Sequence, residues 1–448
     1  MGRMFVRSIG RVAAWLLVAV VLGGCTGKRS PVLEPLVRLE PKTPVVIVPG
    51  FTGSKLQRPD GKILWGSAAA LFSPRDGGYN LALPLDPAAR ERQAYAAVDL
   101  VRSIRLGFIK VDIYGKLIGA LEANGYRLGD LDAPTAADTL FLFPYDWRYN
   151  NVSAAADLTE KLQGLRRARG DPILRVHLIC QSNAARIARY MMKYGAAPLA
   201  DAEAGRAAPP DGIHVEKLIL VGTANGGATN GFRNMLEGRS YAPLIGRKIR
   251  PEVTFTLEAA YETLPVYRDD LFFDERGATL DVDLFDATNW ERYGWSVYAP
   301  QVERRMRKRD RPDLLGDSAA RSAFLARSLD RARRLHRVLT TDVAGFPPAR
   351  YYLVQNAYRH TPDRILLRRT EKGTWETRFW PQRPLRKAPL VPLATAPGDG
   401  HATVASQHWL SPQETASIVG DPLYVEAYHR TIVHHPTTHR AILDYLLE

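Results

Sequence analysis

Two cysteines in 448 residues give almost nothing for a disulfide framework, so the chain has to rest on a hydrophobic core, which its length permits. No apolar run approaches the ~20 residues that a membrane-spanning helix needs; the longest, Val12 to Leu22, is a signal-peptide core in size. No histidine–carboxylate cluster has the spacing of a metal site, and neither a metal nor any other cofactor is implied. Negative charge is the scarcer sign, 47 Asp and Glu against 61 Lys and Arg, for a net charge of +14. The arginines are scattered over the whole chain, without a nucleic-acid motif or aromatic–basic interleaving. That argues against nucleic acid and for an anionic membrane surface as the partner of the positive charge.

The N-terminus stands apart from the rest. Arg3, Arg7 and Arg11 precede the apolar run, and Leu22-Gly23-Gly24-Cys25 follows it. This ending resembles a bacterial lipobox, which implies a lipoprotein signal peptide over 1–24 and an acylated Cys25 as the mature N-terminus; the alternative is an ordinary cleavable signal with an incidental cysteine. The lipobox reading places the protein in a bacterial cell envelope, lipid-anchored at a membrane face. Residues 25–43, with Pro31, Pro35 and Pro41, read as a tether. Cys180 is then left without an intramolecular partner.

The folded part is expected to begin at Pro44. Val45-Val46-Ile47-Val48 is an apolar, β-branched run that suits a strand buried on both faces of a parallel sheet. Further strands are expected at Thr139–Phe143, Ile173–Ile179 and Lys217–Gly222. Helical spacing lies between them, at 113–124, at 151–169 with Ser153 as cap, and after Ser182. Residues 57–99 read as loop-rich, with Trp65 placed to cover an acyl site or simply to pack. Strand–helix alternation of this kind argues a mostly parallel, doubly wound sheet. From 232 to 345 the alternation is lost to aromatic-rich loops and two basic helical stretches, Gln301–Asp310 and Ala319–Leu339. This segment reads as a cap or lid inserted between two parts of one core, 44–231 and 346–448. The charge run 303–309 is either a solvated helix face or a head-group contact. Arg350–Val354 returns to the sheet, and Ile365–Trp380 reads as a hairpin.

Chemistry gathers at the point where an apolar strand breaks into a helix, Ile179-Cys180-Gln181-Ser182-Asn183-Ala184. A serine at such an elbow is the candidate nucleophile of an α/β-hydrolase fold, with the flanking glycines of G-x-S-x-G relaxed to Cys180 and Ala184. The loop Pro49-Gly50-Phe51-Thr52-Gly53 follows the first strand, as the oxyanion loop of that fold does. Its donors would be the N–H groups of Phe51 and Asn183. A serine needs a base, and the base an orienting carboxylate, in the chain order Ser, Asp, His. Asp399, in Gly398-Asp399-Gly400, and His429, before the last helix, satisfy it; Asp421 is the competing acid. His401 and His408 share the C-terminal region with His429, His434 and His435 read as helix-entry residues, and His439 as an exposed helix position.

Four stretches, Pro44–Leu56, Tyr145-Asp146-Trp147-Arg148, the Ser182 elbow and Gly398-Asp399-Gly400 with Thr403-Val404, resemble the lecithin:cholesterol acyltransferase family, which includes lysosomal phospholipase A2 and phospholipid:diacylglycerol acyltransferases. The resemblance implies a Ser182–Asp399–His429 triad under a membrane-facing cap, acting on acyl esters of membrane lipids without a cofactor. Three departures bear on lid geometry and acyl acceptor more than on the triad. The elbow lacks both glycines, His401-Ala402 interrupts Gly-Asp-Gly-Thr-Val, and the lid disulfide of animal members cannot form. The relaxed elbow also keeps open a catalytically inactive hydrolase fold serving as an envelope binding or scaffold lipoprotein.

Overall fold

A computed structural model describes residues 42–448 apart from 68–76, 92–94, 107–108, 240–247, 310–316 and 387–388. The signal segment 1–24, Cys25 and the tether to residue 41 lie outside the described residues.

Six strands form the central sheet: β1 (Val45–Val48), β2 (Leu140–Leu142), β3 (Leu174–Gln181), β4 (Ile213–Val221), β5 (Arg350–Gln355) and β6 (Leu423–Tyr424). They run in the order β2-β1-β3-β4-β5-β6, and every neighbouring pair is parallel. The unbroken apolar runs explain this arrangement. β1 is buried at all four positions and β4 at its last five, as strands covered on both faces must be. The covering helices include α1 (Gly115–Ala123), α2 (Asn151–Arg169), α3 (Ala184–Tyr194) and a C-terminal helix, α6 (Pro436–Leu447); α2 packs on α3 and β3, and α6 on α1 and β4.

Local details correct two expectations. Asn150, not Ser153, caps α2: its side-chain oxygen accepts from the Ser153 N–H at 2.9 Å, which makes Ser153 the donor in the third helical position. Residues 54–112 are not simply loop. Ser54–Gln57, Ile63–Trp65 and Ala96–Leu100 form a three-stranded antiparallel sheet, and Ser103–Leu106 pairs with Ile109–Asp112. Strands of three to five residues carry too few alternations for the pattern to stand out.

Between β4 and β5 the chain forms α4 (Thr229–Glu237), shorter helices and the long α5 (Ser318–Thr340). Its Phe272–Phe273 strand pairs with Thr279–Leu280 on one side and with Ile365–Leu366 on the other, so the hairpin Ile365–Arg369/Trp375–Arg378 belongs to a separate four-stranded sheet. Aromatic rings fill the space beneath it: Phe232 meets Trp295 edge-on at 4.8 Å, and Trp295 stacks on Phe272 at 5.4 Å. In the basic helix Pro300–Arg309, Arg305 turns inward onto the buried Glu252 at 2.7 and 2.6 Å, while Arg304, Arg307 and Lys308 stay exposed. No helix among the described residues is long and apolar enough to cross a membrane.

α3 is buried along its entire length, cations included. Arg189 grips Glu414 with two 2.7 Å bonds, and Lys193 lies 3.4 Å from the same carboxylate while donating to the carbonyls of Leu339 and Thr341. Burial alone would raise the Glu414 carboxyl; the Arg189 charge and hydrogen bonds outweigh it and hold the group below its ordinary range. Burial brings Lys193 down to about 8 in spite of Glu414. This cluster ties the helix behind the elbow to the end of α5. Glu414→Ala leaves two buried cations without their partner and is expected to destabilise the protein by about 3–5 kcal/mol in urea unfolding; a loss under about 1 kcal/mol would show that the cluster does not hold α3.

Candidate active site

Ser182 follows β3 directly with φ at 55°, one of three non-glycine residues of positive φ among the described residues. Such a conformation is stored strain of about 1–3 kcal/mol, tolerated where surrounding contacts impose it. Here the Ser182 N–H still reaches Val221 O at 3.2 Å, and α3 begins two residues later. The oxyanion loop presses against this turn from β1. A Cβ on Gly50 would meet Gln181 Oε1 at 2.2 Å and Ser182 Cβ at 3.0 Å, so only glycine fits. The buried Tyr114 hydroxyl joins loop to strand, accepting from the Gly50 N–H and donating to Gln181 Oε1, both at 2.9 Å.

The three residues singled out in the sequence come together. Ser182 Oγ lies 2.8 Å from His429 Nε2, and His429 Nδ1 lies 2.7 Å from Asp399 Oδ2. Asp399 is fully buried, and its other oxygen accepts from the backbone N–H groups of His401 and Ala402 at 2.8 and 2.7 Å. A carboxylate so placed requires a proton on His429 Nδ1, which leaves Nε2 to accept from the serine hydroxyl. Asp421 is exposed, just before β6, and takes no part. His401 lies against His429 with ring centroids 4.4 Å apart and the rings tilted by 36°; burial, then His429 and nearby arginines, pushes it well below the ordinary imidazole range, so it is neutral near pH 7. His408 bonds Gln355, His434 sits in a short 3₁₀ turn, and His435 caps α6. His439 departs from expectation. It is buried, with Nε2 bonded to Val433 O at 3.0 Å, because the 3₁₀ turn before α6 folds back over it.

Phe51 and Asn183 both border the cleft at Ser182, and among the described residues neither backbone N–H has a protein acceptor. Trp65 is not in the cleft lining. It is buried, donates to Thr52 O at 2.9 Å and meets Trp147 edge-on, as Phe51 does, so it braces the oxyanion loop. Trp147 and Tyr145 in turn bond Ser54, and Arg148 pairs with Asp146. The Tyr145–Arg148 motif is therefore a buttress for this loop.

A polar layer behind the elbow was not foreseen in the sequence. Asn183 exchanges two hydrogen bonds with Asn151 at 2.6 and 3.2 Å and also reaches Tyr145 Oη and Arg186. Asn151 N–H donates to the buried Glu262 at 2.8 Å. No sequence spacing joins residues 151, 183 and 262; the packing of α2 against α3 and of the short helix Glu258–Tyr261, which Glu262 follows, does. No group of three or more His, Cys, Asp and Glu among the described residues is placed to hold a metal ion.

Comparison with known proteins matches no family model and no curated sequence. The chain is similar in structure to that in the crystal structure of the Tle4–Tli4 complex, with a TM-score of 0.55 and 13% identity over 91% of this chain and 98% of that one. Together with the all-parallel six-stranded sheet and the strand-to-helix serine turn, this decides the architecture. The fold is that of the α/β-hydrolases. The mature form of the Bacillus licheniformis lipase BlEst2 also aligns, over 93% and 95% of the two chains at 13% identity, with a TM-score of only 0.27.

Glu262 offers a measurable handle on this layer. Burial raises its carboxyl to about 7; Arg331 at 3.6 Å, the Asn151 N–H and Arg186 pull it down, and Glu258 pushes it up. A carboxyl held above its unfolded value supports folding at low pH and loses that contribution as pH rises through about 7. Glu262→Gln keeps an acceptor for Asn151, so its stability relative to the wild type is expected to rise by on the order of 1–3 kcal/mol from about pH 5 to about pH 8. Thermal unfolding of both proteins across that range checks this, and parallel stability curves would refute it.

Proposed function

We propose that the protein is a lipid-anchored serine acyl hydrolase or acyltransferase of the lecithin:cholesterol acyltransferase type, acting on phospholipid or a related long-chain ester. The observation that carries the reading is the alignment of Ser182, His429 and Asp399 at 2.8 and 2.7 Å on a strained elbow. In this scheme Ser182 Oγ bonds to the ester carbonyl carbon as its proton passes to His429 Nε2. The His429 imidazolium is stabilised by Asp399, and the N–H groups of Phe51 and Asn183 hold the oxyanion. Collapse of the intermediate breaks the ester C–O bond, and His429 returns the proton to the departing alcohol. Water or a second alcohol then repeats the sequence on the acyl-enzyme.

Two features support a substrate presented at an interface. The cleft at Ser182 measures about 40 Å³, far below the roughly 300–1,000 Å³ of ordinary ligand pockets. An acyl chain therefore requires movement of the inserted region that borders it, through Met235, Thr254 and Ala260. The net charge of +14 favours an anionic membrane. Acylation of Cys25 would keep the enzyme at such a surface.

Ser182→Ala is expected to abolish both turnover and labelling by a fluorophosphonate probe, while Asp399→Asn lowers kcat by about 10⁴ by favouring the wrong histidine tautomer. Persistent labelling of Ser182→Ala sinks the assignment, and absence of labelling in the folded wild type selects the inactive scaffold. Products from a defined phospholipid, with and without added sterol or diacylglycerol, separate hydrolysis from transfer. For the anchor, the mass of the mature N-terminal peptide should carry acyl chains that Cys25→Ser removes; an unmodified wild-type peptide refutes it.

A further inference from the structure

The cleft next to Ser182 holds an arginine that the catalytic scheme does not use. Arg186, on the first turn of α3, is 1% exposed and borders the cleft. One terminal nitrogen donates to Asn183 Oδ1 at 3.1 Å and the other to Ala224 O, while its buried Nε has no partner among the described residues. Among the described residues no carboxylate lies within ion-pairing distance of it. Glu262 is the counter-charge that acts on it, but Glu262 is engaged by Asn151 and faces Arg331, and at neutrality it is only partly ionised. Burial lowers Arg186 to about 10, so it stays a cation at neutral pH.

Arg189, one turn further along the same helix, shows what a structural buried arginine looks like here: two short bonds to a buried carboxylate. Arg186 lacks that compensation, and a buried cation without a carboxylate bonded to it opposes folding unless a function retains it. The remaining lining points the same way. Arg239 borders the cleft with its guanidinium 5.1 Å above the Phe51 ring, and among the described residues no Asp or Glu lines the cleft. His401, beside His429, feels the positive charge of Arg239, Arg430 and Arg186 together.

We propose that this cleft selects esters bearing a net negative charge, as a phosphate or a carboxylate, with Arg186 as the selecting residue and Arg239 as the second contact. The proposal rests on the serine-ester reading of the same site. An anion seated here would accept from Arg186 Nε, the guanidinium nitrogen to which the described residues offer no acceptor. It could enter on the alcohol side, as a lipid head group, or on the acyl side, as the far end of a dicarboxylic acid.

Charge selectivity, measured as a ratio, tests the proposal. For the full-length wild type, kcat/KM for p-nitrophenyl hemisuccinate over p-nitrophenyl butyrate probes the acyl side. Dioleoyl phosphatidylglycerol over phosphatidylcholine vesicles probes the head group. At least one ratio should exceed about tenfold, the size of one charge-assisted hydrogen bond. Arg186→Met should bring that ratio close to one, and Arg239→Gln should lower it, whatever happens to the absolute rate. Attraction of a basic protein to an anionic vesicle survives Arg186→Met, so a preference that persists in this variant overturns the proposal. Wild-type ratios near one in both pairs overturn it too, provided that Ser182 is labelled by fluorophosphonate and the butyrate is cleaved. Loss of labelling and of all cleavage overturns the serine reading, and the proposal with it. If Arg186→Met does not fold, inorganic phosphate should slow labelling of wild-type Ser182 relative to chloride at equal ionic strength; equal rates count against the anion site.

Discussion

Val48 lies opposite Cys180 in the parallel pairing of β1 with β3, and the site follows from where those two strands stop. Parallel neighbours release their next residues at the same end of the sheet, so the loop from Pro49 and the turn at Ser182 emerge side by side. The contact between them is close enough that Gly50 has no room for a side chain. Tyr114 then bonds both, through Gly50 N–H and Gln181 Oε1, and fixes their spacing. A left-handed serine held from two strands presents its Oγ outward without freedom to relax, which is the condition for meeting His429 in a constant geometry.

The helix behind the elbow reaches the same end by polar means. A buried face studded with Arg186, Arg189 and Lys193 is an unusual way to pack a helix, since each cation must recover the hydration it gives up. Arg189 and Lys193 recover it from Glu414 and from the carbonyls at the end of α5. In doing so they tie the nucleophile helix to the end of α5. Arg186 recovers it only in part, from Asn183 and Ala224. The contrast within one helix separates a cation that holds the fold from one that faces the cleft.

What could be read from the sequence was whatever depends on short-range pattern. The β-branched run at Val45–Val48 and the apolar run ending at Val221 announce buried strands because burial on both faces forbids polar residues there. Asp399 stood out from Asp421 by its glycine neighbours and its place on an earlier loop, and His429 by its position ahead of α6; both sit within hydrogen-bond reach of the serine system. Interactions between distant segments left no such trace. Phe272 pairs with Ile365, Asn151 with Asn183, and His439 is covered by a turn that its helical spacing does not reveal. The capping of α2 by Asn150 instead of Ser153 is the same limit at short range, since either polar residue could begin that helix.

The elbow itself shows how a relaxed motif is accommodated. Cys180 and Ala184 occupy the positions where glycines are usual, and both are fully buried. Cys180 points into the core, where burial drives its thiol far above the ordinary range and leaves it inert. The missing space is supplied by the neighbouring loops. Gly50 yields it on the β1 side. On the β4 side Gly222, with φ at 55°, leaves room for the acid and base instead: a Cβ there would lie 2.8 Å from Ile432, 3.7 Å from Asp399 Oδ2 and 3.8 Å from His429 Nδ1. Glycines absent from the nucleophile turn are thus found just beyond the ends of the two strands that flank it. The steric requirement belongs to the crowded end of the sheet as a whole, and a motif confined to five consecutive residues sees only part of it.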